Sequence, residues 1–241
     1  MDVKTAGRTV DLFELFAKSK APLTLSEIAR GLSAPQSSCF NLVRALEARG
    51  FLYSIGGNKR LYPTRKLFDI AQAIAEYEPA IPRLEPLLEK LRDATNETAI
   101  LGTRQGDRVI YLAVAEGQQT IRYMSRAGEL KPIHASAIGK ALLTTAPADE
   151  RADIVKRVAL PAVTGNTITG RDELLAEIAT AEARGWSQTR GENVADVMAI
   201  AVPFKVDGAA YAIAIAGPIG RMEPLAAQHV ATVQAMIGTM V

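Results

Sequence analysis

The chain has one cysteine, Cys39, so it cannot form an intrachain disulfide or a cysteine-rich zinc module. No run of about 18 apolar residues occurs, and no transmembrane helix is expected. The opening MDVKTAGRTVDLFELF mixes charges into its apolar positions and lacks the apolar core of a signal peptide; a reducing cytoplasm is the expected location. The motifs GxSxG, GxGxxG, HExxH and CxxC are absent, as is a P-loop. There are two histidines. His134 stands two residues from Ser136 with no orienting acid indicated, which does not make a triad. His229 is expected at the surface of a terminal helix. These absences argue against an enzyme and leave no expected cofactor or metal.

What the chain does have is 241 residues, 48% of them hydrophobic and 22% charged. That is enough apolar material for a core and a length that suits two modest domains. The formal net charge of +2 hides an asymmetry. Residues 18–66 hold nine Lys/Arg against two acids, Glu27 and Glu47, whereas residues 79–241 hold seventeen basic and eighteen acidic residues. A basic first third on a near-neutral remainder points to a polyanion-binding module joined to a different domain.

The first third reads as a winged helix-turn-helix. Over 8–17, Val10, Phe13 and Ala17 share a helical face. Thr24 and Glu27 have capping-box spacing, Leu25, Ile28 and Leu32 follow at helical intervals, and Gly31 is a plausible stop. A second helix, 35–49, opens at Pro35, a good first-turn residue. Its apolar stripe is Cys39, Leu42, Val43 and Leu46, which makes Cys39 an inert core thiol. The other face carries Gln36, Ser37, Phe40, Asn41 and Arg44. Gln and Asn can pair with adenine, and Arg with guanine or phosphate, in a major groove. Ser26, Pro35 and Ser38 complete the candidate DNA contacts on the helices. Runs 51–55 and 60–62 flank a Gly56-Gly57-Asn58 turn and form a hairpin whose Lys59 and Arg60 are candidate phosphate contacts. Pro63 ends it. Residues 64–78 show helical spacing again, stopped by Pro79 and Pro82. The expected division is 1–63 for the DNA-binding domain, 64–79 for a linker helix and 80–241 for a second domain.

That second domain reads as α+β with a mainly antiparallel sheet. Helices are expected at 83–95, 172–184 and about 223–239, with a loop running into a helix over 134–143. Strands are expected at 98–104, 108–116, 120–126, 197–206 and 209–216.

Three stretches carry a family resemblance: LTLSEIARGLSAPQSSCFNLVRALEARGFL (23–52), KPIHASAIGKALL (131–143), and ARGWSQTRGENVADVMAIAVPF (183–204) with AIAIAGP (212–218). Together they resemble the IclR family of bacterial transcriptional regulators. The resemblance implies a GAF/PAS-like effector-binding domain, a double-stranded DNA operator as partner, and homodimers or homotetramers. Many members have Arg where this chain has Asn41, so an operator preference does not transfer. In members that sense very small polar acids, Cys, Ser and Ser match Ala199, Ala214 and Ala216, and an Asp matches Thr189. The loss of four polar groups suggests a wider, more apolar pocket.

The start of the helix near Ala137 and Ile138 offers free N–H groups and the positive end of a dipole, a ready site for a carboxylate. Ser136 caps that helix or helps to hold the anion. His134 belongs to the signature stretch. Arg104, Arg122 and Arg126 are candidate partners for an acid, and Tyr123 or Met124 for a ring. The expected effector is an aromatic acid such as a hydroxybenzoate. The alternatives are a small aliphatic oxoacid or aldehyde or, in another class, a small-molecule-binding or catalytic domain whose N-terminal part mediates protein interaction.

Overall fold

The computed structural model describes residues 3–56, 59–76 and 81–239. Contacts divide the chain into two compact units, Met1–Glu78 and Pro79–Val241.

The first unit holds helices α1 (Lys4–Ser19), α2 (Leu25–Gly31) and α3 (Gln36–Ala48), strands β1 (Leu52–Ile55) and β2 (Arg60–Pro63), and helix α4 (Lys66–Glu76). Helix α1 is longer than the expected 8–17 and ends where Lys20 turns into the left-handed region, at φ 52°. The capping box forms: Thr24 Oγ1 accepts from the Glu27 N–H at 3.3 Å, and Glu27 Oε2 accepts from the Thr24 N–H at 2.7 Å. Leu12, Phe16, Ile28, Cys39, Val43, Leu46, Leu52 and Leu61 make the core. β1 and β2 pair antiparallel, and Leu61 bridges back to Leu23, tying the hairpin to the approach to α2. Gly57 and Asn58 of the expected turn lie outside the described residues. Helix α4 buries no residue.

The second unit is α+β. Its elements are α5 (Ile81–Thr95), β3 (Thr98–Gln105), β4 (Arg108–Ala115), β5 (Leu130–Pro132), α6 (Ala137–Thr144), α7 (Ala148–Arg157), α8 (Arg171–Arg184), β6 (Ser187–Arg190), β7 (Val197–Val206), β8 (Ala209–Pro218) and α9 (Ile219–Gly238). The six strands form one antiparallel sheet in the order β5-β4-β3-β8-β7-β6. Side chains alternate between its faces, as strand geometry requires. Ala99, Leu101, Met198, Ile200, Val202, Ile213 and Ile215 pack with α5 and α9, while Ile100, Ala201, Ala212, Ala214 and Ala216 pack with α6, α7 and α8. Among the described residues no helix is long and apolar enough to cross a membrane.

Several expectations change. Residues 120–126 form no strand. The outer edge of β4 is taken by β5 and the backbone of Gly128 and Glu129, and Tyr123 is instead pinned through its carbonyl, which accepts from Thr98 Oγ1 at 2.6 Å. Pro82 sits in the first turn of α5, where a missing N–H costs nothing, so it opens that helix rather than stopping the previous one. Helix α7 and strand β6 were not expected. His229 is buried on the inner face of α9.

Among the described glycines, Gly139 has the least room for a side chain. A Cβ there would run into the carbonyl of Ile133, a backbone atom that has no way to yield. Gly139→Ala is therefore expected to cost about 1–3 kcal/mol of stability, the usual range for overpacking. Thermal denaturation checks this; an unchanged midpoint would show that α6 can shift.

Candidate functional sites

Helix α3 buries Cys39, Val43 and Leu46, and this burial turns Gln36, Ser37, Phe40, Asn41 and Arg44 outward as expected. The Arg44 guanidinium lies 5.9 Å from the centre of the Phe40 ring, so the two form one exposed patch. Gln36 Nε2 donates to Ser26 Oγ at 3.2 Å across the turn between α2 and α3. Pro35 is the N-cap of α3, exposed beside these residues. Ser38 is partly buried and accepts from Arg8 Nη1 at 2.9 Å. Arg8 was not expected in this neighbourhood; the sequence signals only a cation on α1.

The hairpin cations differ. Lys59 is exposed at the turn, with φ 51°. Arg60 is exposed but folds back along the surface: Nη1 donates to the Pro22 carbonyl at 2.8 Å and reaches Glu27 Oε2 at 3.4 Å. It braces the hairpin against the start of α2.

A cavity lies between the alanine-rich sheet face and α6. Its sheet wall is Ile100, Val197, Ala199, Ala214 and Ala216, with Thr189 beside Ala199 on β6. Ala135, Ser136, Ala137 and Ile138 line it from the α6 side. Tyr111 and Tyr123 close one flank, and Asn193 and Val194 close another. The free space is small, about 30 Å³, room for a water molecule or two. Ser136 is the N-cap of α6, its Oγ accepting from the Gly139 N–H at 3.4 Å. The N–H groups of Ala137 and Ile138, in the first turn, have no helical acceptor. The Tyr111 phenol lies beside the hydroxyls of Tyr123 and Ser136, and burial together with Tyr123 raises its pKa well above the ordinary value. Behind these tyrosines, Lys131 pairs with Glu129 at 2.7 Å and stands 5.6 Å from the Tyr111 ring centre. Lys131, Ser125 and the Arg126 N–H hold the Glu129 carboxyl below its usual range.

Several expected pocket residues lie elsewhere. Arg104 sits at the far end of β3 and pairs with Glu150 at 3.2 Å. Arg122 pairs with Glu116 at 3.2 Å and bonds the Gln119 carbonyl. Each guanidinium satisfies itself on a nearby acid instead of entering an apolar cavity, where an unpaired charge is costly. Arg126 is exposed, as is Met124, because the pinned backbone of 121–125 sends alternate side chains outward. His134 is fully buried beyond the cavity, with Nε2 3.1 Å from the Pro161 carbonyl. Missed from the sequence were Ile100, Tyr111, Ala135, Asn193, Val194 and Val197. Among the described residues no group of His, Cys, Asp or Glu could hold a metal ion.

A helix-turn-helix with an exposed polar outer face in one unit, and a cavity of mixed apolar and hydroxyl lining in the other, are the two parts of a ligand-responsive DNA-binding transcriptional regulator. The family model for the IclR helix-turn-helix domain matches residues 5–56, and that for the bacterial transcriptional regulator IclR C-terminal domain matches residues 75–237. The chain belongs to the IclR family of bacterial transcriptional regulators. It is 32% identical over 222 residues to the HTH-type transcriptional regulator BhcR of Paracoccus denitrificans, covering 91% of this chain and 79% of that protein. The HTH-type transcriptional repressor AllR of Klebsiella pneumoniae is 28% identical over 219 residues, covering 90% of this chain and 80% of that one. The fold matches IclR of Thermotoga maritima at a TM-score of 0.77 and 23% identity, over 98% of this chain and 96% of that chain. It also matches an IclR homologue from Microbacterium hydrocarbonoxydans complexed with 4-hydroxybenzoate, at a TM-score of 0.70 and 22% identity over 98% and 99%.

Both histidines are held below their ordinary value of 6.5, chiefly by burial. The unfolded chain then takes up protons first as the pH falls below about 6.5. Stability from the two neutral rings is present above that pH and is lost as it falls through the lowered folded values. The thermal midpoint is expected to decline from pH 7 to pH 5, and less steeply in a His134→Gln, His229→Gln variant. An equal slope in the variant would refute the assignment.

Proposed function

We propose that operator binding by this regulator is modulated by a small organic acid, an aromatic carboxylate such as a hydroxybenzoate, bound in the cavity beside α6. The observation that carries this reading is the cavity lining. Flat apolar walls of Ile100, Ala199, Ala214 and Ala216 suit a ring face, while Tyr111, Tyr123, Ser136 and the first amides of α6 supply donors for a carboxylate or phenol oxygen. The 4-hydroxybenzoate held by the Microbacterium homologue supports this class of ligand. The free space of about 30 Å³ is tight for a ring, and a wall that moves to admit one gives the ligand a conformational consequence. The same small space favours a second reading, a small aliphatic oxoacid that enters without rearrangement.

DNA is proposed to lie along α3, with Gln36, Ser37, Phe40, Asn41 and Arg44 at base edges and Ser26, Pro35, Ser38 and Lys59 near the backbone. Arg60 acts in this reading by holding the hairpin in place. The chain is proposed to work as a homodimer or homotetramer. Helix α4 buries none of its described residues and exposes Ile70 and Ile74 on one face, with Phe68 further round the helix, apolar surface suited to a second copy.

Three outcomes test this. Calorimetry of the full chain is expected to show binding of 4-hydroxybenzoate and weaker or no binding of glyoxylate; tight glyoxylate binding with no benzoate binding would favour the second reading and sink the first. In gel shifts with DNA flanking its own gene, affinity is expected to fall steeply with salt. Arg44→Ala or Lys59→Ala should weaken it and reduce the log–log salt slope by about one each if the lost contact is to phosphate; indifference to both substitutions would refute DNA binding through this face. Phe68→Asp with Ile74→Asp is expected to lower the assembly size in sedimentation, and an unchanged size would remove α4 from the interface.

A further inference from the structure

We propose that the buried Lys140–Glu192 ion pair holds segment 191–196 over the cavity and so sets the size of the acid it admits. This rests on the reading of the cavity as the effector site.

Lys140 sits in the middle of α6, one turn after the residues that line the cavity. Its side chain is 1% exposed and that of Glu192 10%. Nζ meets Glu192 Oε1 at 2.7 Å and the Gln188 carbonyl at 3.5 Å. Glu192 Oε2 is buried without a hydrogen-bond partner. Such a half-satisfied buried pair adds little net stability against an apolar replacement, but removing one partner strands the other charge. Its effect is to fix where Glu192 lies.

Position matters because the next two residues, Asn193 and Val194, form the roof of the cavity. The stem of this segment is clasped from below. Thr164 Oγ1 donates to the Gly191 carbonyl at 2.6 Å, and Thr167 Oγ1 to the Glu192 carbonyl at 2.7 Å. Across the stem, the Gly191 N–H donates to the Val197 carbonyl at 2.8 Å, and the Val197 N–H to the Val194 carbonyl at 3.0 Å. Gly191 has φ 71°, and a Cβ there would meet the Ala195 carbonyl and Asn166. The clasps hold the backbone of residues 191 and 192. Of these contacts only the ion pair joins the segment to α6, whose first turn also lines the cavity. A ligand larger than the free space must lift the roof, and lifting it strains a pair that sits out of water.

The experiment compares the full chain with Glu192→Gln, and with Lys140→Met plus Glu192→Leu, which removes the pair without stranding a charge. Amide exchange is read first, in the absence of ligand. At Gly191 and Val197 it is expected to be at least tenfold faster in both variants, with β3 and β8 unchanged; equal rates would overturn the proposal. Binding is then measured for glyoxylate, 4-hydroxybenzoate and 6-hydroxy-2-naphthoate. The affinity ratio of the naphthoate to the smallest acid bound is expected to rise at least tenfold in the double variant. A uniform loss of affinity, the mark of a merely structural pair, would also overturn it. If the unsubstituted chain binds none of the three acids, the effector-site reading fails and size selection fails with it, while exchange still shows whether the pair fastens the segment.

Discussion

Helix α6 is buried on every side. Seven of its eight residues, Ala137 to Leu143, are out of water, and much of the second unit follows from making that possible. A helix can sit so deep only if small residues let its backbone approach its neighbours. Gly139 meets the Ile133 backbone, and Ala201, Ala212, Ala214 and Ala216 present a low sheet face. A helix buried all round also has no solvent side for a polar residue. Lys140 has nowhere to extend to water and must find a carboxylate inside. Glu192 supplies it, and the segment carrying Glu192 becomes the roof of the cavity at the start of the helix.

The alanines of β7 and β8 therefore have two roles. Ala201 and Ala212 are packing residues that bring α6 close. Ala199, Ala214 and Ala216 stand where the helix begins, and there the same low relief leaves the space that becomes a cavity. Along one strand, packing residue and pocket residue differ only in whether α6 passes above them. The opposite face of the same strands carries Met198, Ile200, Val202, Ile213 and Ile215 against α5 and α9. Large residues fill the face toward α5 and α9, and small ones leave space on the face toward α6, where the cavity at the start of that helix lies.

The first unit was legible in the sequence because its signals are local. Thr24 and Glu27 specify a helix start within four residues, Pro35 another, and the 3.6-residue spacing of Cys39, Val43 and Leu46 orients α3 and exposes its outer face. Arg60 was not legible: its partners, the Pro22 carbonyl and Glu27, lie 38 and 33 residues away. The second unit shows the same division. The β-prone run 120–126 has the composition of a strand, but β5 already holds the edge of β4. Arg104 and Arg122 suited an acidic ligand until the fold brought Glu150 and Glu116 beside them. Tyr111 was hidden in an ordinary alternating strand; it becomes a pocket residue only because Tyr123 and Ser136, from two other segments, converge on its hydroxyl. Local geometry can be read from a sequence; convergence cannot.

On the proposal that the cavity holds the effector, its small free space is what makes it regulatory. A ligand acts on a regulator only by binding two conformations with different affinity. A roomy, preformed pocket satisfies the ligand without asking for a second conformation. In the proposed reading, a cavity of about 30 Å³ lined by the start of α6, two tyrosines and the 193–194 segment asks for one, since a ring-sized acid then displaces a wall. The free energy of that displacement is taken from the binding energy, so intrinsic affinity for the open form exceeds the affinity observed. The same difference fixes how far the ligand shifts the population of the two forms. A tighter roof thus gives weaker apparent binding with a larger conformational response, and a looser roof the reverse. On that trade-off, a buried pair with one unsatisfied oxygen is a suitable fastening: strong enough to close an empty cavity, yet close to balance against its own desolvation.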